Sequence, residues 1–340
     1  MLYEALRTLL FQLDAEKSHH LGMRGIQVLN SLKLSSKLYP VPDVSPVEVM
    51  GITFPNRVGL AAGLDKNGDY LSALSALGFG FVEVGTVTPR SQPGNPKPRL
   101  FRLAEAEAII NRMGFNNLGA DHLVAQVKAA HVDAVVGINI GKNIDTAVED
   151  AVADYLMGLE KVYQQADYIA INISSPNTPG LRKLQFGESL KALLGALKDK
   201  QTALHQENNR YVPMAVKVAP DLDADEVEEL AAAFTQYEVD AVIATNTTMA
   251  RDKVAGLKHA EQAGGLSGRP VFEQSTDIVR QFRAALPDAV PIIAAGGIMS
   301  GQDAIKKLEA GASLVQIYSG FIYQGPALIA EIINSIEQDN

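Results

Sequence analysis

A lysine within an apolar run is the first residue of this sequence that could do chemistry. Lys217 lies at the centre of Ala-Val-Lys-Val-Ala at positions 215–219, where every other side chain suits a protein core. Lysine is almost never fully buried without a partner, so we expect Lys217 to serve a site. It could form a Schiff base as a neutral amine, or it could stay charged beside an anionic ligand. Lys66 is a weaker candidate, because it lies in a Gly/Asn-rich turn where lysines are usually solvated.

Three glycine-rich stretches could bind a phosphate. They read Gly-Gly-Leu-Ser-Gly at 264–268, Ala-Gly-Gly-Ile at 295–298 and Tyr-Ser-Gly at 318–320. Glycines allow backbone N–H groups to approach an anion closely. Any one stretch could be an ordinary turn, but three together favour a phosphate site. Neither G-x-G-x-x-G nor G-x-x-x-x-G-K-[ST] occurs, which weakens a dinucleotide-binding or P-loop interpretation.

Asparagine is unusually frequent in the segments that follow the apolar runs. The residues are Asn111, Asn116, Asn117, Asn139, Asn172, Asn177 and Asn246. An amide both donates and accepts hydrogen bonds, so such a set suits a planar ligand with alternating N–H and C=O groups. Taken singly, each asparagine could also be a common turn residue.

A serine-containing loop is the best candidate for the reacting group. Residues 172–180 read Asn-Ile-Ser-Ser-Pro-Asn-Thr-Pro-Gly, which is long enough to close over a ligand. No histidine is near in the sequence, so a Ser-His-Asp hydrolase is not indicated. A serine here would have to accept a proton in a closed, dry site.

Eight short apolar runs must position these residues. They span 58–62, 81–85, 135–140, 168–173, 214–218, 241–245, 292–295 and 314–317. Val, Ile and Ala without alternation are typical of parallel strands buried on both faces, and helical patterns separate the runs. Eight strand-helix units predict an α/β fold, a (β/α)₈ TIM barrel whose βα loops open on one face. The residues just after the runs should converge there: Lys66, Thr86, Asn139, Asn172, Lys217, Asn246, Gly296 with Gly297, and Tyr318 with Ser319.

The first part of the chain does not fit this repeat. Apolar residues form two helical stripes at 2–13 and 21–32, and a Pro-rich break follows. We therefore divide the chain into an N-terminal two-helix extension, 1–45, and a barrel, 46–340, with a small hairpin around Gly51. The extension could pack on the barrel, or it could touch a membrane or a partner.

Composition excludes several classes of protein. The chain has 340 residues, is 47% hydrophobic and carries a net charge of -9, which indicates a large core and argues against a nucleic-acid partner. No run approaches the roughly 18 apolar residues of a membrane span, and the N-terminus lacks a signal-peptide pattern, so we expect a cytoplasmic location. The absence of cysteine excludes disulfides, thiolate nucleophiles and Cys-held iron–sulfur clusters. We expect no metal site.

Taken together, these stretches resemble the dihydroorotate dehydrogenases, specifically the quinone-dependent, membrane-associated class 2 branch. The most specific segments are 60–66, 85–89, 111–117, 172–180, 244–248, 264–270 and 316–321. The resemblance covers the whole chain, including the extension. It implies oxidation of (S)-dihydroorotate to orotate in pyrimidine biosynthesis, with FMN as cofactor and a membrane quinone as electron acceptor. The missing cysteines agree, because the similar class 1 enzymes use a cysteine base.

The same resemblance assigns roles to individual residues. It makes Ser175 the base that removes the C5 proton while hydride passes from C6 to N5 of FMN. Substrate binding falls to Lys66, Asn111, Arg112, Met113, Gly114, Phe115, Asn172, Asn177, Asn246 and Thr247. FMN binding falls to Ala62, Gly63, Leu64, Asp65, Lys66, Thr86, Asn139, Asn172, Lys217, Thr245, Gly268, Gly297, Tyr318 and Ser319. Lys217 would then be a cation that stabilises reduced flavin.

By this resemblance the extension is the quinone entrance. His19, Arg102 and Tyr318 would line the path to the flavin, and the protein would be a monomer bound peripherally to the cytoplasmic face of the inner membrane. Two alternatives stay open. A Schiff-base aldolase could use Lys217 and the glycine loops, and a non-catalytic barrel could simply bind a phosphorylated ligand. Neither accounts for the amides together with the serine loop.

Overall fold

The eight apolar runs form a closed barrel of parallel strands. The computed structural model describes residues 2–339, and of Leu2 only the backbone. Met1 of the predicted extension 1–45 and Asn340 of the predicted barrel 46–340 lie outside the described residues. The strands are β1 (Val47–Val49), β2 (Ile52–Phe54), β3 (Val58–Leu60), β4 (Phe81–Val87), β5 (Leu100–Leu103), β6 (Ala108–Asn111), β7 (Val135–Ile140), β8 (Tyr168–Asn172), β9 (Met214–Val218), β10 (Ala241–Ala244), β11 (Gly265–Gly268), β12 (Ile292–Ala295) and β13 (Leu314–Ile317). The helices are α1 (Leu2–Leu10), α2 (Ala15–Ser31), α3 (Ser35–Leu38), α4 (Leu71–Ser75), α5 (Ala120–Ala129), α6 (Ala151–Val162), α7 (Gly187–Asn208), α8 (Ala224–Gln236), α9 (Phe272–Ala285), α10 (Gly301–Glu309), α11 (Ser319–Gln324) and α12 (Ala327–Asp339).

The barrel strands follow one another in the order β3-β4-β7-β8-β9-β10-β12-β13, and β13 pairs with β3 to close the ring. Every residue of these strands is buried, because their outer faces pack against the surrounding helices in one apolar core. The predicted TIM barrel is confirmed. Its parallel strands bring all their carboxyl ends, and the residues after them, to one face.

A short hairpin closes the opposite end of the barrel. β1 and β2 pair antiparallel, and the two turn residues Met50 and Gly51 both have positive φ, of 55° and 71°. Such a pair of angles matches the twist of a two-residue hairpin turn. Phe54 then packs edge-on against Phe81, the first residue of β4, with ring centroids 5.4 Å apart. The predicted hairpin is confirmed.

A three-stranded antiparallel sheet lies outside the barrel and was not predicted. It has the order β11-β6-β5, and it joins the long segment between β4 and β7 to the segment between β10 and β12. Gly265 of β11 pairs with Asn111 of β6, and Gly268 pairs with Ala108. The sheet therefore carries two stretches of predicted site residues to one place.

The extension contains both predicted helices, and a short third helix, α3, follows them. Polar contacts hold the extension to the rest of the protein. The Arg99 guanidinium donates two hydrogen bonds, of 2.8 and 3.2 Å, to the buried carboxylate of Glu16. The Tyr3 hydroxyl donates to the carbonyl oxygen of Ile322 at 2.7 Å. α3 ends at Leu38 and β1 begins at Val47, so the predicted boundary falls between defined elements.

The outer face of the extension is apolar and exposed. Leu9 is 69% exposed and Leu32 is 62% exposed, and Leu6, Leu13, Leu21 and Val28 are also exposed. Packing on the barrel therefore does not account for these side chains. Within residues 2–339, none of the helices combines the length and apolarity needed to span a bilayer.

Candidate active site

A cavity opens at the carboxyl ends of the barrel strands, where the predicted residues meet. It holds about 1030 Å³ of empty space, its solvent-open mouth included. The predicted site residues that line it are Ala62, Gly63, Lys66, Thr86, Asn111, Met113, Gly114, Phe115, Asn172, Ser175, Asn177, Lys217, Thr245, Asn246, Thr247, Gly268, Gly297, Tyr318 and Ser319. The βα loops of the barrel and the unpredicted sheet together bring these positions into one space.

Hydrogen bonds between side chains fix the orientation of the amides. Thr86 donates its hydroxyl to Asn139 at 2.5 Å, and the Asn172 amide donates to Thr86 at 3.0 Å. On the other side, Asn246 donates to the Ser174 hydroxyl at 3.0 Å and lies 3.4 Å from the Asn172 oxygen. These contacts make a preorganised row of donors and acceptors, which suits a flat polar ligand.

Asn111 and Asn177 form a second amide pair at the mouth. Asn177 donates to the Asn111 side-chain oxygen at 3.3 Å. Asn111 is the last residue of β6 in the outer sheet, and Asn177 lies on the serine loop. The pair therefore joins two segments that are distant in sequence across the opening of the cavity.

Ser175 faces this cavity and is only 5% exposed. Arg182 holds its loop, because the guanidinium donates to the carbonyl oxygens of Ser174 at 3.1 Å and Thr247 at 2.9 Å and pairs with Asp221 at 2.7 Å. The loop is thus tied to the segment after β10. Arg182 and Asp221 were not predicted, since one lies in a short 3-10 helix and the other in a loop, where charged residues are expected on general grounds.

Lys217 lines the cavity floor and forms an ion pair. Its ammonium lies 3.5 Å from a carboxylate oxygen of Glu83, a residue of β4 with no solvent exposure. A Schiff base needs a neutral amine, whereas this pair requires the charged form, so the geometry favours the cation. Sequence reasoning missed Glu83, although it interrupts the apolar run 81–85 just as Lys217 interrupts its own.

Lys66 reaches the cavity from the turn after β3. Its ammonium donates to the carbonyl oxygen of Gly63 at 2.6 Å, and burial lowers its pKa to about 8. Burial, with a smaller contribution from the charge of Lys66, lowers the pKa of the His19 ring in the extension to about 3. His19 does not line the cavity.

Four predicted ligand-binding residues do not line the cavity: Leu64, Asp65, Arg112 and Asn139. Asn139 lies directly beneath it and holds Thr86, whereas Leu64 is part of the apolar core. Asp65 is buried below the Lys66 turn, where it accepts backbone N–H groups of residues 68–70, and burial raises its pKa to about 6.

Arg112 and Arg102 both bind protein groups at the edge of the site. The Arg112 guanidinium stacks 4.6 Å from the Phe101 ring centroid and donates to Gln262 at 2.8 Å. Arg102 lines a separate cavity under the extension and donates to the carbonyl oxygens of Leu10 and Leu13. The structure therefore places Arg102 where the extension contacts the outer sheet.

The glycine loops lie against backbone that leaves no room for a side chain. Gly297 has φ +76°, and a Cβ there would lie 2.5 Å from the Cα of Phe272 at the start of α9. Gly268 has φ +99°, and its Cβ would lie 2.2 Å from the carbonyl oxygen of Glu107. These contacts fix the backbone of both glycines, and both residues line the cavity. A fixed backbone without a side chain suits a loop that presents N–H groups to a phosphate.

Comparison with known proteins decides the family. Residues 45–339 match the family model described as Dihydroorotate dehydrogenase. The chain belongs to this family. A dihydroorotate dehydrogenase (quinone) from Aliivibrio fischeri strain MJ11 is 58% identical over 336 residues, which cover 99% of this chain and 100% of that one. One from Pseudomonas aeruginosa strain UCBPP-PA14 is 58% identical over 335 residues, with 98% of each chain covered.

Solved structures of this family have the same fold. DHODH from Eimeria tenella in complex with ferulenol has a TM-score of 0.87 and 36% sequence identity, covering 96% of this chain and 91% of that chain. The ligand-free form from the same organism has a TM-score of 0.84 and 38% identity, with 93% of each chain covered. The resemblance seen in the sequence is confirmed. As a dihydroorotate dehydrogenase family member the chain is an oxidoreductase with a flavin cofactor, which sets aside the aldolase and the non-catalytic barrel.

Proposed function

We propose that this chain oxidises (S)-dihydroorotate to orotate for pyrimidine biosynthesis, with FMN as its flavin and a membrane quinone as the final electron acceptor. Family membership supports the reaction. The observation that carries the assignment to this cavity is that Ser175, the amide row and the Lys217 ammonium all line the same space.

The residues present fit FMN. Gly268 and Gly297 offer close backbone approach for the phosphate, and Lys217 offers a cation for the ring. Gln316 also lines the cavity, and its buried amide oxygen has no hydrogen-bond partner within residues 2–339. An unpartnered buried acceptor is costly, so it suits a ring N–H of a ligand. When bound, the flavin supplies the hydride acceptor and passes the electrons on to the quinone.

The amides fit the pyrimidine. Dihydroorotate carries ring N–H and C=O groups that alternate, and Asn111, Asn172, Asn177 and Asn246 offer both donors and acceptors on the cavity wall. Lys66 supplies a positive charge for the carboxylate of the substrate. The hydrogen bonds among these side chains hold them in place before the ligand arrives, which reduces the entropic cost of binding.

Ser175 is the proposed general base. Its hydroxyl oxygen would accept the C5 proton of dihydroorotate, and its 5% exposure keeps competing water away. Arg182 positions the serine loop through its contacts with Ser174, Thr247 and Asp221. A proton acceptor must lie within hydrogen-bond reach of the proton, so this anchoring serves the chemistry directly.

The extension is the proposed site of quinone entry and membrane contact. Its exposed leucines form an apolar face, which is the feature that lets an amphipathic helix rest in a lipid surface. We propose a monomer bound peripherally at the cytoplasmic face of the inner membrane. The path from lipid to flavin would pass His19, Arg102 and Tyr318, and Tyr318 already lines the cavity.

The visible spectrum of the purified protein tests this function. We expect a yellow protein with one non-covalent FMN per chain that bleaches when dihydroorotate is added without oxygen. Reoxidation by a quinone should restore the colour. A protein that stays colourless and inert after incubation with FMN would contradict the proposal.

A further inference from the structure

Glu83 is a buried carboxylate at the centre of the barrel, with no solvent exposure. Its oxygens accept hydrogen bonds from Asn139 at 2.8 Å, Gln316 at 2.7 Å and Tyr168 at 2.9 Å, and the Lys217 ammonium lies at 3.5 Å. A buried charge is costly unless it is paired and hydrogen-bonded. Four other strands, β7, β8, β9 and β13, each supply one of these groups, so the carboxylate organises much of the barrel interior.

The groups around Glu83 connect it to the cavity. Lys217 and Gln316 line the cavity floor, and Asn139 bonds to Thr86, which also lines it. Glu83 itself does not line the cavity. It therefore lies one layer below the ligand and touches the side chains that would touch the ligand.

Glu83 also fixes the orientation of the Gln316 amide at the cavity floor. Because the Gln316 nitrogen donates to Glu83, its oxygen remains as the acceptor without a partner among the described residues. Tyr168 strengthens this arrangement, since burial and the neighbouring Glu83 raise the pKa of its hydroxyl well above the ordinary value and keep it a donor.

We propose that Glu83 is a positioning residue for the flavin, which balances the charge of Lys217 and directs the acceptor of Gln316 into the cavity. The proposal rests on the proposed function, in which this cavity binds FMN. Without the carboxylate, an uncompensated ammonium would face the ring and favour the reduced, anionic flavin over the oxidised one. Glu83 would thus keep the reduced flavin able to pass its electrons on.

The test replaces Glu83 by the isosteric neutral amide, Glu83→Gln. We expect the apoprotein to bind oxidised FMN about tenfold more weakly, because Gln316 and Lys217 lose a charged partner. We also expect reduced flavin to be favoured over oxidised flavin by about tenfold, which is a positive shift of roughly 30 mV in midpoint potential. Fluorescence titration of apoprotein and dye-coupled redox titration measure the two effects. Tyr168→Phe is the matched control, because it removes one hydrogen bond from the same carboxylate without removing its charge, and its potential should shift much less.

Two outcomes would overturn this role. One is Glu83→Gln with FMN affinity and midpoint potential equal to wild type, and the other is an equal potential shift in Tyr168→Phe. If Glu83→Gln does not fold, the comparison of Lys217→Gln with the double variant Glu83→Gln/Lys217→Gln replaces it. Lys217→Gln should lower the midpoint potential, and the double variant, with both charges removed, should return toward wild type. If the midpoint potential of the double variant is as low as that of Lys217→Gln, the proposed charge balance is refuted. Failure of wild type to bind FMN would instead refute the proposed function.

Discussion

Two of the three lysines that are buried among the described residues, Lys217 and Lys307, have different surroundings. Lys217 faces the carboxylate of Glu83, whereas the Lys307 ammonium donates to the Ser275 hydroxyl at 2.6 Å and to the carbonyl oxygen of Phe272 at 3.3 Å. Both of these Lys307 partners are neutral, so burial lowers the pKa of Lys307 to about 7. The Lys217 ammonium has a carboxylate partner, whereas burial without a charged partner disfavours the protonated form of Lys307.

The Lys307 shift predicts a pH-dependent stability. The folded pKa is about 7 and the ordinary value is 10.5, so between these values the unfolded chain binds the additional proton and stability rises with pH. Lys307→Met removes this contribution. As pH rises through this window, the free energy of unfolding should therefore increase more for wild type than for the variant. The difference between the two increases should be at most about 1.4 kcal/mol for each unit of the pKa shift.

Urea denaturation at several pH values in this window measures the effect. Lys306→Met is the control, since Lys306 is the exposed neighbour on the same helix. Parallel stability profiles for wild type and Lys307→Met would show that Lys307 stays protonated throughout.

Ser175 gives the second prediction at the residue scale. General-base loss typically costs about 10² to 10⁴ in rate, so Ser175→Ala should bind FMN and orotate yet reduce its flavin more slowly by a factor in this range. Ser175→Cys should keep part of the activity, because a thiol can also accept the proton. Anaerobic stopped-flow reduction by dihydroorotate measures this. Ser174→Ala removes the neighbouring hydroxyl, which does not line the cavity but accepts a hydrogen bond from Asn246. It should weaken orotate binding, whereas its reduction rate at saturating dihydroorotate should fall much less. If Ser175→Ala reduces its flavin at the wild-type rate, another group must be the general base.

At the scale of elements, the loops after the strands matter through their backbone as much as through their side chains. The loop after β12 lies against the first turn of α9, where Gly297 contacts Phe272 so closely that no Cβ fits. The outer sheet acts similarly, because the pairing of β6 with β11 brings Asn111 and Gly268 to the cavity. A binding surface built from backbone requires this close packing.

Gly297→Ala tests the cradle. The new methyl group must displace the loop, so we expect FMN affinity to fall by roughly tenfold, or about 1.4 kcal/mol. Gly256→Ala is the matched control: Gly256 has a similar φ of +79°, but no atom lies within 4 Å of a Cβ there. Both variants carry the same backbone strain and only one has the clash. Equal FMN affinities in fluorescence titration would show that the loop does not contact the phosphate.

At the scale of the whole molecule, the proposed function assigns flavin reduction to the barrel and quinone access to the extension. The proposed FMN and pyrimidine contacts all lie after Pro46, whereas the exposed apolar face belongs to the extension. The Glu16–Arg99 pair holds the two together. An apolar face that the protein itself leaves uncovered is the expected mark of a membrane or partner surface.

Substitution on that face should separate the half-reactions. In Leu9→Gln/Leu32→Gln we expect weaker binding to lipid vesicles and slower oxidation by a long-chain quinone, because exposed apolar area is lost. Flavin reduction by dihydroorotate and reoxidation by a small soluble dye should be retained. Leu118→Gln is the control, since Leu118 is a 55% exposed leucine on the barrel. Removal of residues 1–41 should give the same separation in a truncated protein that folds. If vesicle binding and quinone turnover are unchanged in both variants, the extension has only a structural role.

The sequence by itself determined the barrel and the face that carries its site. Apolar runs such as 135–140 are local signals, and a parallel strand order places every residue after a run on one face. The serine loop, Lys217 and the amides could therefore be predicted to meet there. Only the tertiary structure decided which charges meet. Glu83 and Lys217 lie far apart in the chain and become partners because barrel closure brings β4 and β9 around one interior.

The tertiary structure also decided the outer sheet and the exposure of the extension. β6 and β11 are short, and they belong to segments that are far apart along the chain. No local sequence pattern therefore predicts that these two strands pair. The sequence pattern of the leucine stripes in the extension is the same whether these side chains pack on the barrel or face outward. Periodicity shows that a helix has an apolar face, but what covers that face depends on how the complete chain packs.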